Sequence, residues 1–207
     1  MSSGSHERIR ANAPSNTRID AVVKVGGGLL RQPQHFQPVL DAIAEAARRR
    51  RLVVVPGGGP FADAVRVVDA AVGLTHDAAH WMAVLGMDQL AHLVVSRLKR
   101  GVVVHDEREI GAAIRASRVA VLAVSRWLEA ADPLPHSWTV TGDSIAAWAA
   151  GQLGARRLVL VKPPGAVGAD ALDAHFERAL PAGVTWTIVP ADQPELLERA
   201  LDDGSDA

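Results

Sequence analysis

An α/β fold, with a mostly parallel central sheet covered by helices on both faces, is the fold class the sequence predicts. Three observations predict it. Short apolar runs alternate with segments of helical periodicity along the chain. Two of those runs, Ala21–Val25 and Leu52–Val55, lead into glycine triplets, Gly26–Gly28 and Gly57–Gly59, as strands entering crossover turns do. The chain has 207 residues, enough for one domain with a full core.

In order, Ala21–Val25 is a buried strand. Gln34–Arg50 is a helix with Phe36, Val39, Leu40, Ile43, Ala46 and Ala47 near helical spacing. Leu52–Val55 is a second buried strand, stopped by Pro56. Phe61–Val72 is a helix with Pro60 suited to its first turn. A long helix is expected from Asp77 to Arg100, with Gly101 just past its end. Val102–Val104 is a strand, and Asp106 with Glu109 opens a short helix ending near Arg115 as a capping box. Val119–Val124 is a strand, Ala131–Ser137 a Pro-rich loop, Ser144–Ala150 a helix behind Asp143, and Leu158–Val161 a strand. After a Pro/Gly loop at Lys162–Ala169 come a helix at Leu172–Leu180, a strand at Thr185–Val189 and a closing helix at Pro194–Leu201. Residues 1–18 read as a disordered lead and 19–207 as a single domain.

Composition excludes several functions. Basic and acidic residues number 22 and 23, a net charge of -1, without the basic excess of a nucleic-acid binder. The run Arg48–Arg51 reads as a helix C-terminus complementing its own dipole. Cysteine is absent, which removes disulfides, thiolate zinc sites and cysteine nucleophiles and suits a cytoplasmic protein. No apolar run reaches the about 18 residues of a membrane span, so no membrane partner is expected.

The two glycine triplets carry the chemistry. Ligands of open α/β sheets bind beyond the carboxyl ends of strands. Glycine lets backbone approach an anion closely, and the following helix offers free N–H groups and a positive dipole end. Two such loops suggest a long polyanion or two phosphorylated ligands. Lys24 ends a buried strand beside the first loop, where a charge wants a partner or a ligand. A transferring phosphoryl group suits it, because that step is mostly positioning and charge stabilisation. A Walker loop does not fit, since no Lys-Ser/Thr pair follows the glycines. Gly57-x-Gly59-x-x-Ala62 fits the loose dinucleotide fingerprint, but Asp77, at the expected spacing of its acidic partner, opens a helix instead of ending a strand.

Four segments in order, Lys24-Val25-Gly26-Gly27, Val55-Pro56-Gly57-Gly58-Gly59, Trp138–Ala146 (WTVTGDSIA) and Leu158–Lys162 (LVLVK), resemble the amino acid kinase superfamily. The resemblance implies a three-layer αβα sandwich, ATP and Mg²⁺, and transfer of the γ-phosphoryl group to a small-molecule oxyanion. It implies that Lys24 contacts the transferring group and that Asp143 organises the catalytic lysines; as plain sequence, Asp143 is equally an N-cap of the following helix. Gly26, Gly27, Gly28, Gly58, Lys162 and Gly165 fall to the nucleotide, and Gly57, Gly58 and Gly59 also to the acceptor. Homo-oligomers are common in the family, and the apolar helix at Asp77–Arg100 serves an interface as readily as a core.

Gly59–Arg66 (GPFADAVR), His80–Gln89 (HWMAVLGMDQ) and Asp173-Ala174-His175-Phe176 are similar to a small branch of archaeal and methylotroph kinases that act on an aminomethylfuran phosphate in methanofuran-type cofactor synthesis. Such an acceptor carries a phosphate and an ammonium. Arg66, two turns into its helix, is a candidate clamp for the phosphate or a solvated helix Arg. Asp63 and Asp88 are candidates for the ammonium, Asp88 otherwise lying on a polar face. His80 is placed near the acceptor. With His76 it has the spacing of a two-His zinc site, but Asp77 stands where the zincin pattern needs Glu. Trp138 and Trp148 read as core or as packing on the nucleotide side.

Two departures matter. Many relatives carry Thr-Asp where this chain reads Lys162-Pro163-Pro164, and larger ones carry a later Gly-Gly-x-x-x-Lys segment absent here. Lys162 is then the candidate second cation. Kinases for another carboxylate, carbamate or phosphate acceptor, or a nucleotide-binding subunit without turnover, are the competing readings.

Overall fold

The computed structural model describes residues 18–166 and 168–202. The expected N-terminal lead lies outside them except for Arg18. Six strands form one sheet: β1 (Ala21–Val25), β2 (Leu52–Pro56), β3 (Gly101–Val104), β4 (Val119–Leu122), β5 (Arg157–Lys162) and β6 (Thr185–Pro190). Their order is β3-β4-β2-β1-β5-β6, and each neighbouring pair is parallel. The helices are α1 (Pro33–Ala46), α2 (Gly59–Val72), α3 (His76–Arg97), α4 (Glu107–Arg115), α5 (Ser125–Ala131), α6 (Gly142–Gln152), α7 (Phe176–Ala179) and α8 (Leu196–Leu201).

The period of two along β1 explains the three layers. Ala21, Val23 and Val25 pack with Leu40 and Ile43 of α1 and Leu197 of α8. Val22 faces the other side, with Ile110 of α4, Leu128 of α5 and Ile145 of α6. Lys24 shares the Val22 face by alternation, and so meets α6. Helix α3 joins the two cores: Val84 and Met87 belong to one, Leu90, Ala91 and Val94 to the other.

Several elements differ from expectation. Helix α1 stops at Ala46, so the arginine run is not its last turn. Arg48 pairs with Glu45 at 3.2 Å, Arg51 with Asp20 at 2.9 Å, and Arg50 with Glu198 and Asp202. The run therefore ties the chain before β1 and the end of α8 to the turn before β2. Helix α3 ends at Arg97; Arg100 takes the left-handed conformation (φ 62°) and Gly101 begins β3. Strand β4 ends at Leu122 and α5 follows, a seven-residue helix with no signal of its own. Its first N–H, from Ser125, is accepted by Asp88 of α3 at 3.2 Å. The helix expected over 172–180 is a single turn, because Asp173 is committed elsewhere and Pro181 follows its end. Asp106 caps α4 as expected, accepting the Glu109 N–H at 2.8 Å, but Glu109 returns its carboxylate to the His105 N–H.

The glycine triplets meet backbone to backbone. A Cβ on Gly27 would stand 2.1 Å from the Gly59 nitrogen, and Gly59 itself has φ +52°, so neither position accepts a side chain. Residues Gly27–Arg31 form an unpredicted 3-10 turn.

Candidate active site

The centre of the site is a buried charge triad at the carboxyl ends of β1 and β5, adjacent interior strands of the sheet. Lys24 lies at the end of β1 and Lys162 is the last residue of β5. Asp143, in the first turn of α6, takes one lysine on each oxygen: Lys24 Nζ is 2.9 Å from Oδ1, and Lys162 Nζ donates to Oδ2 at 2.5 Å. Lys162 also donates to the Ala171 carbonyl at 2.8 Å. The three residues are only 6%, 3% and 8% exposed for Lys24, Asp143 and Lys162.

Asp143 is not the N-cap of α6. Thr141 holds that position, and its own side chain makes no cap. Asp173, 29 residues beyond Ser144, supplies the carboxylate. Its Oδ2 accepts from Thr141 N at 2.9 Å, Thr141 Oγ1 at 2.8 Å and Ser144 N at 3.0 Å, and its Oδ1 accepts from the Ser144 hydroxyl and from His175 N at 3.1 Å. Two donors of the helix start, Thr141 N and Ser144 N, are thereby satisfied, leaving the Asp143 side chain to the lysines.

Burial pushes the Asp143 carboxyl up, but the two ammonium groups outweigh it and hold the pKa below the usual carboxylate range. Burial, then the charge of Lys24, pushes Lys162 down, with Asp143 opposing. Two cations and one anion give the triad itself a net charge of +1, with the Asp173 carboxylate also acting on Lys162. Asp143 Oδ1 has only the ion contact with Lys24 and no well-angled hydrogen bond. A buried surplus of positive charge is stabilised by an anionic ligand.

Beside Lys24 opens a cavity of about 440 Å³, within the range of small-ligand sites. Gly27, Gly28 and the triplet Gly57–Gly59 form one end, with Asp63, Arg66 and His80 along the wall. Asp63 is bound by two arginines, Arg31 at 2.6 Å and Arg66 at 3.1 Å. The Arg66 guanidinium lies 4.6 Å from the centre of the Trp138 ring, a cation–π contact. His80 is buried and stacked on His136 at 4.2 Å. Burial, then the neighbouring His136, lowers its pKa to about 4, so it presents a neutral ring.

Other expected residues stand elsewhere. Asp88 does not line the cavity; its carboxylate accepts from the Ser125 N–H and hydroxyl because α5 needs a cap. Gly26 is also outside the lining, and its N–H is spent on the Val161 carbonyl at 2.9 Å, continuing the ladder between β1 and β5. The Gly57 N–H is likewise spent on Val25. Gly58 and Gly59 open α2, where helix geometry leaves the first N–H groups without intrahelical acceptors. Gly165 (φ +84°) lies with Lys162 on the loop side of the triad, away from the cavity lining.

Sequence reasoning missed Arg31, Asp69 and the capping role of Asp173, and it left Trp138 undecided. Trp138 lines the cavity and donates its indole N–H to Asp69 Oδ2 at 2.7 Å. Asp69 is three residues beyond Arg66 on α2, the spacing of one helix face, which is the signal that was available for it.

The model of the amino acid kinase family matches residues 21–163. The chain belongs to the amino acid kinase family. As an amino acid kinase it is a phosphotransferase. A relative from Methanocaldococcus jannaschii, described as 5-(aminomethyl)furan-3-yl-methyl phosphate kinase, is 29% identical over 176 residues, covering 83% of this chain and 74% of the relative. The fold is similar to that of uridylate kinase from Archaeoglobus fulgidus, with a TM-score of 0.65 at 17% identity, over 88% of this chain and 95% of that one. It is similar also to UMP kinase from Ureaplasma parvum, with a TM-score of 0.66 at 14% identity, over 88% and 96%. Among the described residues no helix is long and apolar enough to cross a membrane.

Proposed function

We propose that this amino acid kinase is an ATP-dependent enzyme that phosphorylates the phosphate of a small acceptor of the aminomethylfuran phosphate class, forming a diphosphate and ADP. The observation that carries the reading is the net positive Lys24–Asp143–Lys162 triad beside a cavity that itself contains Arg66. A second anion is thus provided for next to the transferring group.

ATP would supply the γ-phosphoryl group, and Mg²⁺ bound with it would neutralise the phosphate oxygens. Both oxygens of Asp143 face ammonium groups, so the metal would be carried mainly by phosphate and water, as Mg²⁺ commonly is. The nucleotide side is the loop after β5, with Lys162 and Gly165, and the backbone of Gly27 and Gly28. Lys24 lines the cavity and shares Asp143 with Lys162 of the nucleotide side, while Gly27 and Gly28 border the cavity too. It stabilises the charge on the phosphoryl group as the bond to the leaving oxygen breaks and the bond to the acceptor oxygen forms. Asp143 holds both lysines and is not a base: an acceptor phosphate has no proton that must be removed. The N–H groups of Gly58 and Gly59 at the start of α2, with Arg66, hold the acceptor phosphate.

We also place the enzyme in the cytoplasm, where its nucleotide is supplied, and as a homo-oligomer. Val68, Met82 and Leu85, which are 41%, 37% and 51% exposed, line one groove between α2 and α3 with Phe61 and Val65, an uncharged face suited to a second copy. Sedimentation of Leu85→Glu tests this; an unchanged mass contradicts it.

The test of the function is the product. Phosphorus NMR of a reaction with ATP, Mg²⁺ and aminomethylfuran phosphate should show a new diphosphate. Turnover only with uridylate, carboxylates or carbamates in parallel reactions would reject this acceptor, and ATP binding without ADP release from any acceptor would reject catalysis.

A further inference from the structure

The cavity has two ends of different charge. The end at Lys24 and the α2 start is positive. At the other end Asp69 lies between Trp138 and residues 74–76 at the start of α3. Cavity-lining carboxylates come from Asp63 and Asp69 alone among the described residues. Asp63 is neutralised by Arg31 and Arg66. Among the described residues Asp69 pairs with no lysine or arginine; it accepts the Leu74 N–H at 2.9 Å on Oδ1 and the Trp138 indole N–H at 2.7 Å on Oδ2.

Resting on the kinase reading above, we infer that Asp69 is the specificity residue that binds an ammonium group on the acceptor, so that the site selects phosphates bearing a primary amine at the opposite end. Each carboxylate oxygen has a second lone pair beyond the one taken by the protein donor, and those remain for an ammonium. The two donors also fix the carboxylate, so little ordering accompanies binding. Their effect is electrostatic as well: the bond from Trp138, then that from Leu74, holds the Asp69 pKa below the usual range, keeping it ionised. Among the described residues the cationic group that acts on it is His76, which opens α3 and lines the same cavity.

The same tryptophan sets the spacing. Arg66 rests on the face of the Trp138 ring while the ring N–H holds Asp69. Arg66 and Asp69 are one turn apart on α2, roughly 5 Å along the axis. One rigid side chain therefore positions both the phosphate clamp and the carboxylate. The same cavity is lined by Ala79, Val140 and His80 in its neutral form, which suits an uncharged ring between two charged substituents. Asp63 and Asp88, the sequence candidates for the ammonium, are both already engaged.

The experiment compares two acceptors, aminomethylfuran phosphate and the analogue with methyl in place of aminomethyl, on wild type, Asp69→Asn and Trp138→Phe. Wild type should prefer the amine through KM. Asp69→Asn should raise KM for the amine roughly 10- to 100-fold, with kcat within about threefold and KM for the methyl analogue unchanged. Trp138→Phe, which keeps the charge and loses the fixing bond, should give a smaller loss of the same preference. A wild type indifferent to the amine, or an Asp69→Asn variant that loses both acceptors equally, overturns the inference. Calorimetric binding of both phosphates separates it from the kinase reading: preference for the amine lost in Asp69→Asn supports the ammonium site even where no acceptor is phosphorylated, and equal binding of both phosphates by wild type rejects it.

Discussion

Lys24 Nζ lies 2.9 Å from Asp143 Oδ1, at the end of a strand and the start of a helix that are 119 positions apart in the chain. The opposite oxygen of the same carboxylate receives Lys162. One anion thus holds two buried cations, and removing different members has opposite electrostatic consequences.

Lys24→Ala leaves a neutral Asp143–Lys162 pair. Stability in urea should change little, while kcat falls by roughly 10²- to 10³-fold for loss of one preorganised charge. Asp143→Ala leaves two buried ammonium groups facing each other and should cost about 3–5 kcal/mol as well as activity. Urea unfolding and an ADP-coupled assay on the two variants check this; equal destabilisation by both would contradict the triad's net charge.

Asp173→Ala removes the carboxylate that caps α6. The first turn of α6 should fray at a cost of about 1–2 kcal/mol, and kcat should fall more than KM rises because Asp143 sits in that turn. Amide hydrogen exchange at Gly142–Ile145 reads the fraying. Unchanged protection there with reduced activity would give Asp173 a different role.

Gly27→Ala and Gly28→Ala should separate sharply. A Cβ at Gly27 meets backbone at 2.1 Å, so the two glycine loops must part and activity should be lost. At Gly28 the nearest atom is Pro163 Cγ at 3.1 Å, which a small shift relieves. Paired thermal melts and ADP assays test the contrast.

The two stacked histidines act oppositely with pH. His80, held near pKa 4 by burial and His136, stays neutral in the fold, so its contribution to stability is present above about 6.5 and is lost as pH falls toward 4. His136 is raised by its bond to Asp77, opposed by partial burial and helped by Asp132, so its contribution is full below the unfolded pKa and is lost as pH rises through the folded one. His80→Phe should flatten the fall in Tm between pH 6.5 and 4. An unaltered slope would show that His80 is not the group being forced to charge.

What was legible in the sequence is what is local. Apolar runs ending in glycines gave the strands and the two loops, and Lys24, Lys162 and Asp143 stood out as charges next to buried segments. The alternation in β1 put Lys24 on the α6 face without further information. What was not legible depends on partners distant in the chain. Helix α5 is capped from α3 by Asp88, so Asp88 looked like a free carboxylate and Ser125–Ala131 looked like nothing. Asp173 caps α6 from a segment that itself resembled a helix. Asp69 shows its importance only once Trp138 is folded against it.

The proposed reaction is phosphoryl transfer onto a phosphate acceptor at the Lys24 side of the triad. The most direct measurement is the phosphorus NMR spectrum after incubating the enzyme with ATP, Mg²⁺ and aminomethylfuran phosphate, run beside Lys24→Ala. A coupled pair of diphosphate resonances on the acceptor, formed with one ADP each and nearly absent in the variant, is the result predicted. An unchanged acceptor resonance with wild type, or equal diphosphate formation by Lys24→Ala, would contradict it.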